Sequence, residues 1–280
     1  MCDFGIVIML RLEKISSLDR LELEPYRTLK RSGEHAALGI FVVEGDKVFE
    51  RLLESNFTIV SVLLIEERLA EFEPLLRARP ENEIAVYVCE KNLLTGMVGF
   101  ELYQGVLAIA KIPPALSLEK ILATSPRPRF LVAMDGLANA ENVGALMRNC
   151  VAFGVSALIA GETCSSLFLR RTVRNSMGAL FKLPVLESTN LVQTLHELRV
   201  QGIRCVAAHP RPDGKVLSHA SFTSDCCLVF GSEGHGISQE VLAVCDEAAV
   251  IPMLNDVDSL NVSAAAAVFL YEVNRQRGKS

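Results

Sequence analysis

Three short clusters in the second half of this 280-residue chain gather residue types that can do chemistry. The first runs from Asn139 to Arg148 and reads Asn-Ala-Glu-Asn-Val-Gly-Ala-Leu-Met-Arg. Val143, Leu146, Met147, Cys150, Val151 and Gly154 fall on one helical stripe, which leaves Arg148 on a different face among the small residues Ala145 and Ala152. A guanidinium so placed calls for an anion, such as a phosphate, and an ordinary structural salt bridge would meet the same need. The second cluster, Gly231-Ser232-Glu233-Gly234-His235-Gly236-Ile237, follows the apolar run Leu228 to Phe230. Its glycines permit positive φ and close approach of a ligand to the backbone. The order is G-x-x-G-x-G, so neither the dinucleotide fingerprint nor a Walker loop is met. A tight turn would explain the glycines but not a Glu bracketed by them; His235 reads as an ordinary loop residue. The third cluster is Ile251-Pro252-Met253-Leu254, then Asp258-Ser259-Leu260-Asn261-Val262-Ser263 and four alanines. Ser259 or Asn261 can cap the helix that follows, which accounts for both without any function. The alanines imply that this helix packs very close to another element.

These clusters need a scaffold that presents three loops to one place. From Phe130 onward, strand-like runs (130–134, 157–160, 183–186, 205–208, 228–230 and 249–253) alternate with helical ones, the pattern of an α/β domain with a mostly parallel sheet. In such sheets ligands sit beyond the carboxyl ends of the strands. Before Phe130, a charged helical stretch over 18–31 precedes strands over 39–45, 59–65, 85–89 and 105–110. A helix carrying Val48, Leu52, Leu53 and Phe57 separates the first two. This is a smaller α/β unit. Pro113, Pro114, Pro126 and Pro128 mark a connector. The organisation expected is therefore 1–111, a linker over 112–129, and 130–280.

Composition narrows the function classes. Half of the residues are hydrophobic and no low-complexity tract occurs, so a folded core is expected. The net charge of -5 excludes nucleic-acid binding by bulk electrostatics and leaves it to local basic clusters. The apolar segment from Cys2 to Leu10 is too short to span a bilayer and lacks the flanks of a secretory signal, so a soluble, cytoplasmic protein is expected. Eight cysteines are scattered without C-x-x-C or His-Cys ligand spacing. Adjacent Cys226 and Cys227 should face opposite sides of a strand. Neither a metal site nor a disulfide is expected.

Taken together, the clusters resemble the three signature motifs of the SpoU/TrmH branch of the SPOUT methyltransferases: N-x-G-x-x-x-R, G-x-E-x-x-G-[IL], and an I-P-M stretch leading into S-L-N-V-[SA]. Here they span Asn142 to Arg148, Gly231 to Ile237 and Ile251 to Ser263. The resemblance covers residues 130 to 275. It implies an α/β catalytic domain with a deep trefoil knot, a homodimer, and S-adenosylmethionine bound by main-chain groups around Gly231, Ser232, Gly236, Ile251 and Leu260. Asn142, Arg148, Glu233, Ser259 and Asn261 would be the polar catalytic set. A lesser motif, Arg174-Asn175-Ser176-Met177-Gly178-Ala179, would bring Arg174 and Ser176 to RNA. Phe41 to Gly45 and Gly105 to Ala110 resemble the ribosomal-protein-like substrate-binding domain that precedes many such enzymes. Lys30, Arg31 and His35 ahead of its first strand are candidate RNA contacts.

The activity implied is methylation of a ribose 2′-hydroxyl in RNA, and the extra N-terminal domain favours ribosomal RNA over tRNA. Family mechanisms make the motif arginine a base. A guanidinium with a pKa above about 12 stays protonated, so Arg148 is better suited to binding the target phosphate and stabilising an alkoxide. Two other classes compete: a non-catalytic RNA-binding or ribosome-assembly factor, against which the intact polar set speaks, and a nucleotide-dependent enzyme, which would need a phosphate loop.

Overall fold

The computed structural model describes residues 9–98, 105–210, 214–255 and 257–279. The chain divides into two compact units, one formed by residues 1–113 and 168–181, the other by 114–167 and 182–280.

The first unit begins with strand β1 (Met9–Lys14), then α1 (Glu24–Arg27), α2 (Ser32–Ala37), β2 (Ile40–Glu44), α3 (Asp46–Leu53), β3 (Ile59–Ile65), α4 (Glu66–Arg77), β4 (Glu83–Cys89), α5 (Lys91–Val98) and β5 (Val106–Lys111). Its five strands lie in the order β1-β4-β3-β5-β2. β1, β4 and β3 are parallel, while β5 runs antiparallel to β3 and β2. Strand β5 is buried over Val106 to Ala110 because both its faces are covered, which explains its unbroken apolar run. The stretch expected as a helix over 18–31 instead forms a 3-10 turn at Leu21–Leu23 and the single turn of α1, with Pro25 at its start. Proline can open a helix but cannot continue one from upstream. Buried Arg79 closes off the end of α3: it donates to the carbonyls of Leu53 at 2.8 Å and Phe57 at 2.7 Å, and pairs with Glu81 at 2.7 Å.

The second unit comprises α6 (Leu118–Thr124), β6 (Phe130–Asp135), α7 (Ala140–Ala152), β7 (Ala157–Ala160), β8 (Val185–Glu187), α9 (Leu191–Val200), β9 (Arg204–Ala208), β10 (Lys215–Val216), β11 (Cys226–Gly231), α10 (Gln239–Val244), β12 (Glu247–Val250) and α11 (Val262–Gln276); α8 lies in the first unit. Seven parallel strands run in the order β10-β12-β9-β11-β6-β7-β8. This is the mostly parallel α/β sheet that the sequence implies. The proline-marked connector is shorter than expected. Ser117 caps α6 by accepting from the Lys120 amide at 3.2 Å, and Ile121 and Leu122 enter the core shared by β6, β7, β9 and β11. Cys227 lies in that core beside its strand neighbour Cys205, and Cys226 turns to the other face. Strand β12 ends at Val250, so Ile251 to Met253 continue past the sheet as loop.

Residues 168–181 stand between β7 and β8 in the chain but cluster with the first unit. Helix α8 (Arg170–Asn175) brings Arg170 and Arg174 to the buried carboxylate of Glu44 at the end of β2, Arg174 at 3.0 Å. Phe168 and Phe181 stack against Phe41 at centroid distances of 5.3 and 6.4 Å. Among the described residues no helix is long and apolar enough to cross a membrane, and no group of three or more His, Cys, Asp or Glu is placed to hold a metal ion.

Candidate active site

The site is built at the carboxyl ends of β11, β12 and β9, all within the second unit. Gly231 ends β11, and a Cβ on it would collide with the carbonyl of Gly236 and the nitrogen of Ile237. Its absence lets residues 232–236 fold back as a closed loop. Ser232 and Gly236 exchange two backbone hydrogen bonds of 2.9 Å, and the Ser232 hydroxyl accepts from the His235 amide at 3.2 Å. Gly236 sits at φ +68°, where a side chain would be strained.

Glu233 stands at the tip of this loop, and the other two clusters meet it there. Asn142 Nδ2 donates to Glu233 Oε1 at 2.6 Å. Asn261 Nδ2 donates to the same oxygen at 2.7 Å and to Asn142 Oδ1 at 3.0 Å. Both asparagines are held by helix starts. Asn142 lies in the first turn of α7, whose N-cap Asn139 accepts from the Glu141 and Asn142 amides. Asn261 caps α11, its Oδ1 accepting from the Ser263 amide at 2.9 Å and hydroxyl at 2.6 Å. The capping reading and the functional one are thus both satisfied by a single side chain. Its oxygen faces the helix and its nitrogen faces Glu233. Asn149 Nδ2, one helical repeat beyond Asn142, donates to the Ser263 carbonyl at 2.7 Å and ties α7 to the start of α11.

Arg148 is exposed on α7, and its guanidinium makes no hydrogen bond or ion pair among the described residues. The structural salt bridge weighed from the sequence is absent among those residues. A fixed cation with five donors and no protein partner is suited to an anion from outside, such as a phosphate.

Beneath the loop lies a cavity of about 630 Å³. Phe230 and Phe269, edge-to-face at 5.7 Å, form part of its wall, with Ile251, Met253 and Leu260 adding apolar surface. Gly231, Ser232 and Gly236 also line it, so every residue expected to hold the cofactor faces this one space. Ser259 is on the same wall and does not cap α11. Glu233 and Asp258 supply the charges, and no Lys or Arg is among the described lining residues. Volume, apolar walls and carboxylates at the edge fit a nucleoside carrying a cationic sulfonium and an ammonium group.

Sequence reasoning missed His209, which follows β9 and lines the cavity with its ring against Gly236. Its signal was available, since it directly follows the carboxyl end of a strand already identified. His235, read as an ordinary loop residue, lines the cavity as well.

The RNA candidates are elsewhere, in the first unit. Lys30 and Arg31 are exposed, Arg31 pairing with Glu34 at 3.4 Å. His35 is buried, with Nε2 3.0 Å from Thr28 Oγ1, and burial pulls its imidazole below the usual range. Ser176 is fully buried and donates to the Val173 carbonyl at 2.7 Å. Neither His35 nor Ser176 presents a surface to RNA in this chain, because each side chain completes a local turn. Arg174 is half exposed beside Glu44.

Residues 129–271 match the SpoU rRNA Methylase family, and residues 42–115 match the domain described as RNA 2'-O ribose methyltransferase substrate binding. An uncharacterized tRNA/rRNA methyltransferase of Mycobacterium bovis is 29% identical over 273 residues, covering 95% of this chain and 93% of the relative. The 23S rRNA (guanosine-2'-O-)-methyltransferase RlmB of Ralstonia nicotianae is 32% identical over 213 residues, or 76% of this chain and 84% of its own length. Among solved structures, the SpoU methyltransferase AviRb from Streptomyces viridochromogenes in complex with AdoMet superposes with a TM-score of 0.79 at 25% identity, covering 93% of this chain and 100% of the other. With its three clusters joined around one cavity, the chain belongs to the SpoU rRNA methylase family of RNA methyltransferases.

Proposed function

We propose that this protein methylates a ribose 2′-hydroxyl of RNA with S-adenosylmethionine as donor, and that ribosomal RNA is its substrate rather than tRNA. The observation that carries the reading is the convergence of Asn142 and Asn261 on Glu233 at the cavity edge, with Arg148 unpaired among the described residues on the same helix as Asn142. The name of the Ralstonia relative supports the 2′-hydroxyl and ribosomal RNA.

When bound, S-adenosylmethionine supplies a methyl carbon made electrophilic by its sulfonium. The main chain around Gly231, Ser232, Gly236, Ile251 and Leu260 holds the cofactor, and the carboxylates of Glu233 and Asp258 favour its positive charge. Arg148 binds the phosphate next to the target ribose and stabilises negative charge developing on the 2′-oxygen. Glu233, fixed by two amides, and Ser259 orient the ribose. Alignment of this kind can lower a barrier by up to about 7 to 11 kcal/mol in favourable cases. Arg174, Lys30 and Arg31 add phosphate contacts from the first unit. The same reading includes a cytoplasmic homodimer and the trefoil knot that the family resemblance implies. Exposed Val268 and Tyr271 on the alanine-rich α11 are suited to meeting a second copy.

Calorimetry with S-adenosylmethionine, followed by tritiated-methyl transfer to total ribosomal RNA and total tRNA with nuclease mapping, tests the proposal. Label on a ribose in the ribosomal pool is expected. Label confined to tRNA overturns the substrate, and neither binding nor transfer from a folded protein leaves a non-catalytic RNA-binding factor.

A further inference from the structure

The arrangement above leaves one step without an actor. Methylation of a hydroxyl releases a proton, Arg148 is cationic and cannot take it, and the Glu233 carboxylate already accepts two amide hydrogen bonds on Oε1. Hydrogen bonds to a carboxylate favour its ionised form and make it a weaker base. Two histidines line the cavity, His209 and His235. The ring of His209 is packed against Gly236. His235 is exposed, and its imidazole makes no hydrogen bond or ion pair among the described residues. Its backbone is nevertheless fixed, because its amide is held by Ser232 Oγ inside the loop closed by the two Ser232–Gly236 bonds. A titratable ring on a fixed loop, two residues from Glu233 and at the mouth of the cavity, is what a proton acceptor requires.

We propose that His235 is the general base of the methyl transfer, an assignment that rests on the function proposed above. The imidazole takes the 2′-hydroxyl proton on its unprotonated ring nitrogen as the oxygen bonds to the methyl carbon. The carbon–sulfur bond breaks with its electron pair going to sulfur, which leaves as a neutral thioether, and the imidazolium returns its proton to solvent. Other ionisable groups around the loop are Glu233, Asp258 and His209 on the cavity, Arg148 and Glu141 on α7, and Asp135, which accepts from the Ser238 amide at 2.7 Å.

The three available bases predict different pH dependences. An imidazole base gives a single-turnover rate that rises through the neutral range and then levels; a carboxylate base gives one already level there; a guanidine base gives one still rising above about pH 10. The experiment measures single-turnover methyl transfer from tritiated S-adenosylmethionine, at saturation, to the RNA pool that accepts label. Wild type, His235→Gln and His235→Ala are compared between pH 5 and pH 9, the last with and without millimolar imidazole, and cofactor affinity is measured by calorimetry. The expected result is a neutral limb in the wild type that His235→Gln abolishes, a rate loss of about a hundredfold or more, recovery of His235→Ala by added imidazole, and cofactor affinity within about twofold. A variant that keeps the rate and the limb, or one that imidazole fails to rescue, overturns the assignment while leaving the methyltransferase reading intact. Absence of transfer by the wild-type protein overturns both.

Discussion

Asn261 Nδ2 and Glu233 Oε1 lie 2.7 Å apart across 28 positions of sequence, while the opposite end of the same Asn261 amide accepts from the Ser263 amide at 2.9 Å. One side chain therefore starts a helix and fixes a carboxylate at the cavity edge. The two roles can be separated. Asn261→Ala should cost about 1 kcal/mol of stability for the lost cap and, through misplacement of Glu233, on the order of a hundredfold in methyl transfer. Asn261→Ser restores the cap without the reach, so thermal stability should return while the rate stays low. Recovery of both would make Asn261 a cap and nothing more.

Arg148 stands without a protein partner among the described residues, so removing it strands no buried charge and should leave the fold alone. Arg148→Ala is expected to lower turnover on the order of a hundredfold or more with cofactor affinity nearly unchanged, as for loss of a donor to developing charge. Arg148→Lys should recover only part of the rate, because an ammonium cannot make the paired contacts of a guanidinium. Steady-state kinetics beside calorimetry separate these effects.

Gly231 and Gly234 lie in the same motif but in different surroundings. A methyl group at Gly231 meets the backbone of Gly236 and Ile237, whereas one at Gly234 meets nothing within 4 Å. Gly231→Ala should force the loop open, with about 1–3 kcal/mol lost to overpacking and cofactor binding abolished. Gly234→Ala should bind normally. Equal affinities in calorimetry would mean that the closed loop is not the cofactor-binding form.

In the first unit, the Arg79 guanidinium is 5% exposed and serves the carbonyls of Leu53, Ser55 and Phe57 together with Glu81, whose other role is to accept from the Ile59 amide. Arg79→Met fills the space but leaves these acceptors unpaired and a carboxylate alone. About 3–5 kcal/mol should be lost, as when one partner of a buried pair is removed. Hydrogen exchange is expected to rise over α3 and β3 without rising in β11; a uniform rise would show that the unit does not open by itself.

The catalytic half was legible because its clusters are local. Each places a polar group next to a strand end or a helix start, and both features leave short-range marks in sequence. The meeting of Asn142, Glu233 and Asn261 was not readable from any one cluster, since it depends on how strand order brings the three loops together. Helix α6 was taken for linker because its prolines flank it rather than interrupt it, and only two of its residues, Ile121 and Leu122, reach the core. Strand β12 was placed three residues too far along because Ile251 and Met253 are as apolar as a strand; they cover a cavity instead of a sheet. Ser176 and His35 look like surface polar residues in sequence. They are buried because each finds a partner within seven positions, and such local pairing has no distinct signature.

Residues 168–181 bear on how far the chain can be taken apart. Expressing residues 1–113 alone would remove Arg170 and Arg174 from the buried Glu44, and Phe168 and Phe181 from the ring cluster around Phe41. The truncated piece would carry an uncompensated carboxylate beside uncovered aromatic rings, a combination that favours aggregation. A chimaera exchanging the N-terminal domain for that of a relative would inherit the same defect unless the incoming strand presented an acid to the two arginines. Substrate-recognition domains in this protein are thus not freely interchangeable cassettes, and any recombination between relatives would have to carry the acid and its two arginines together.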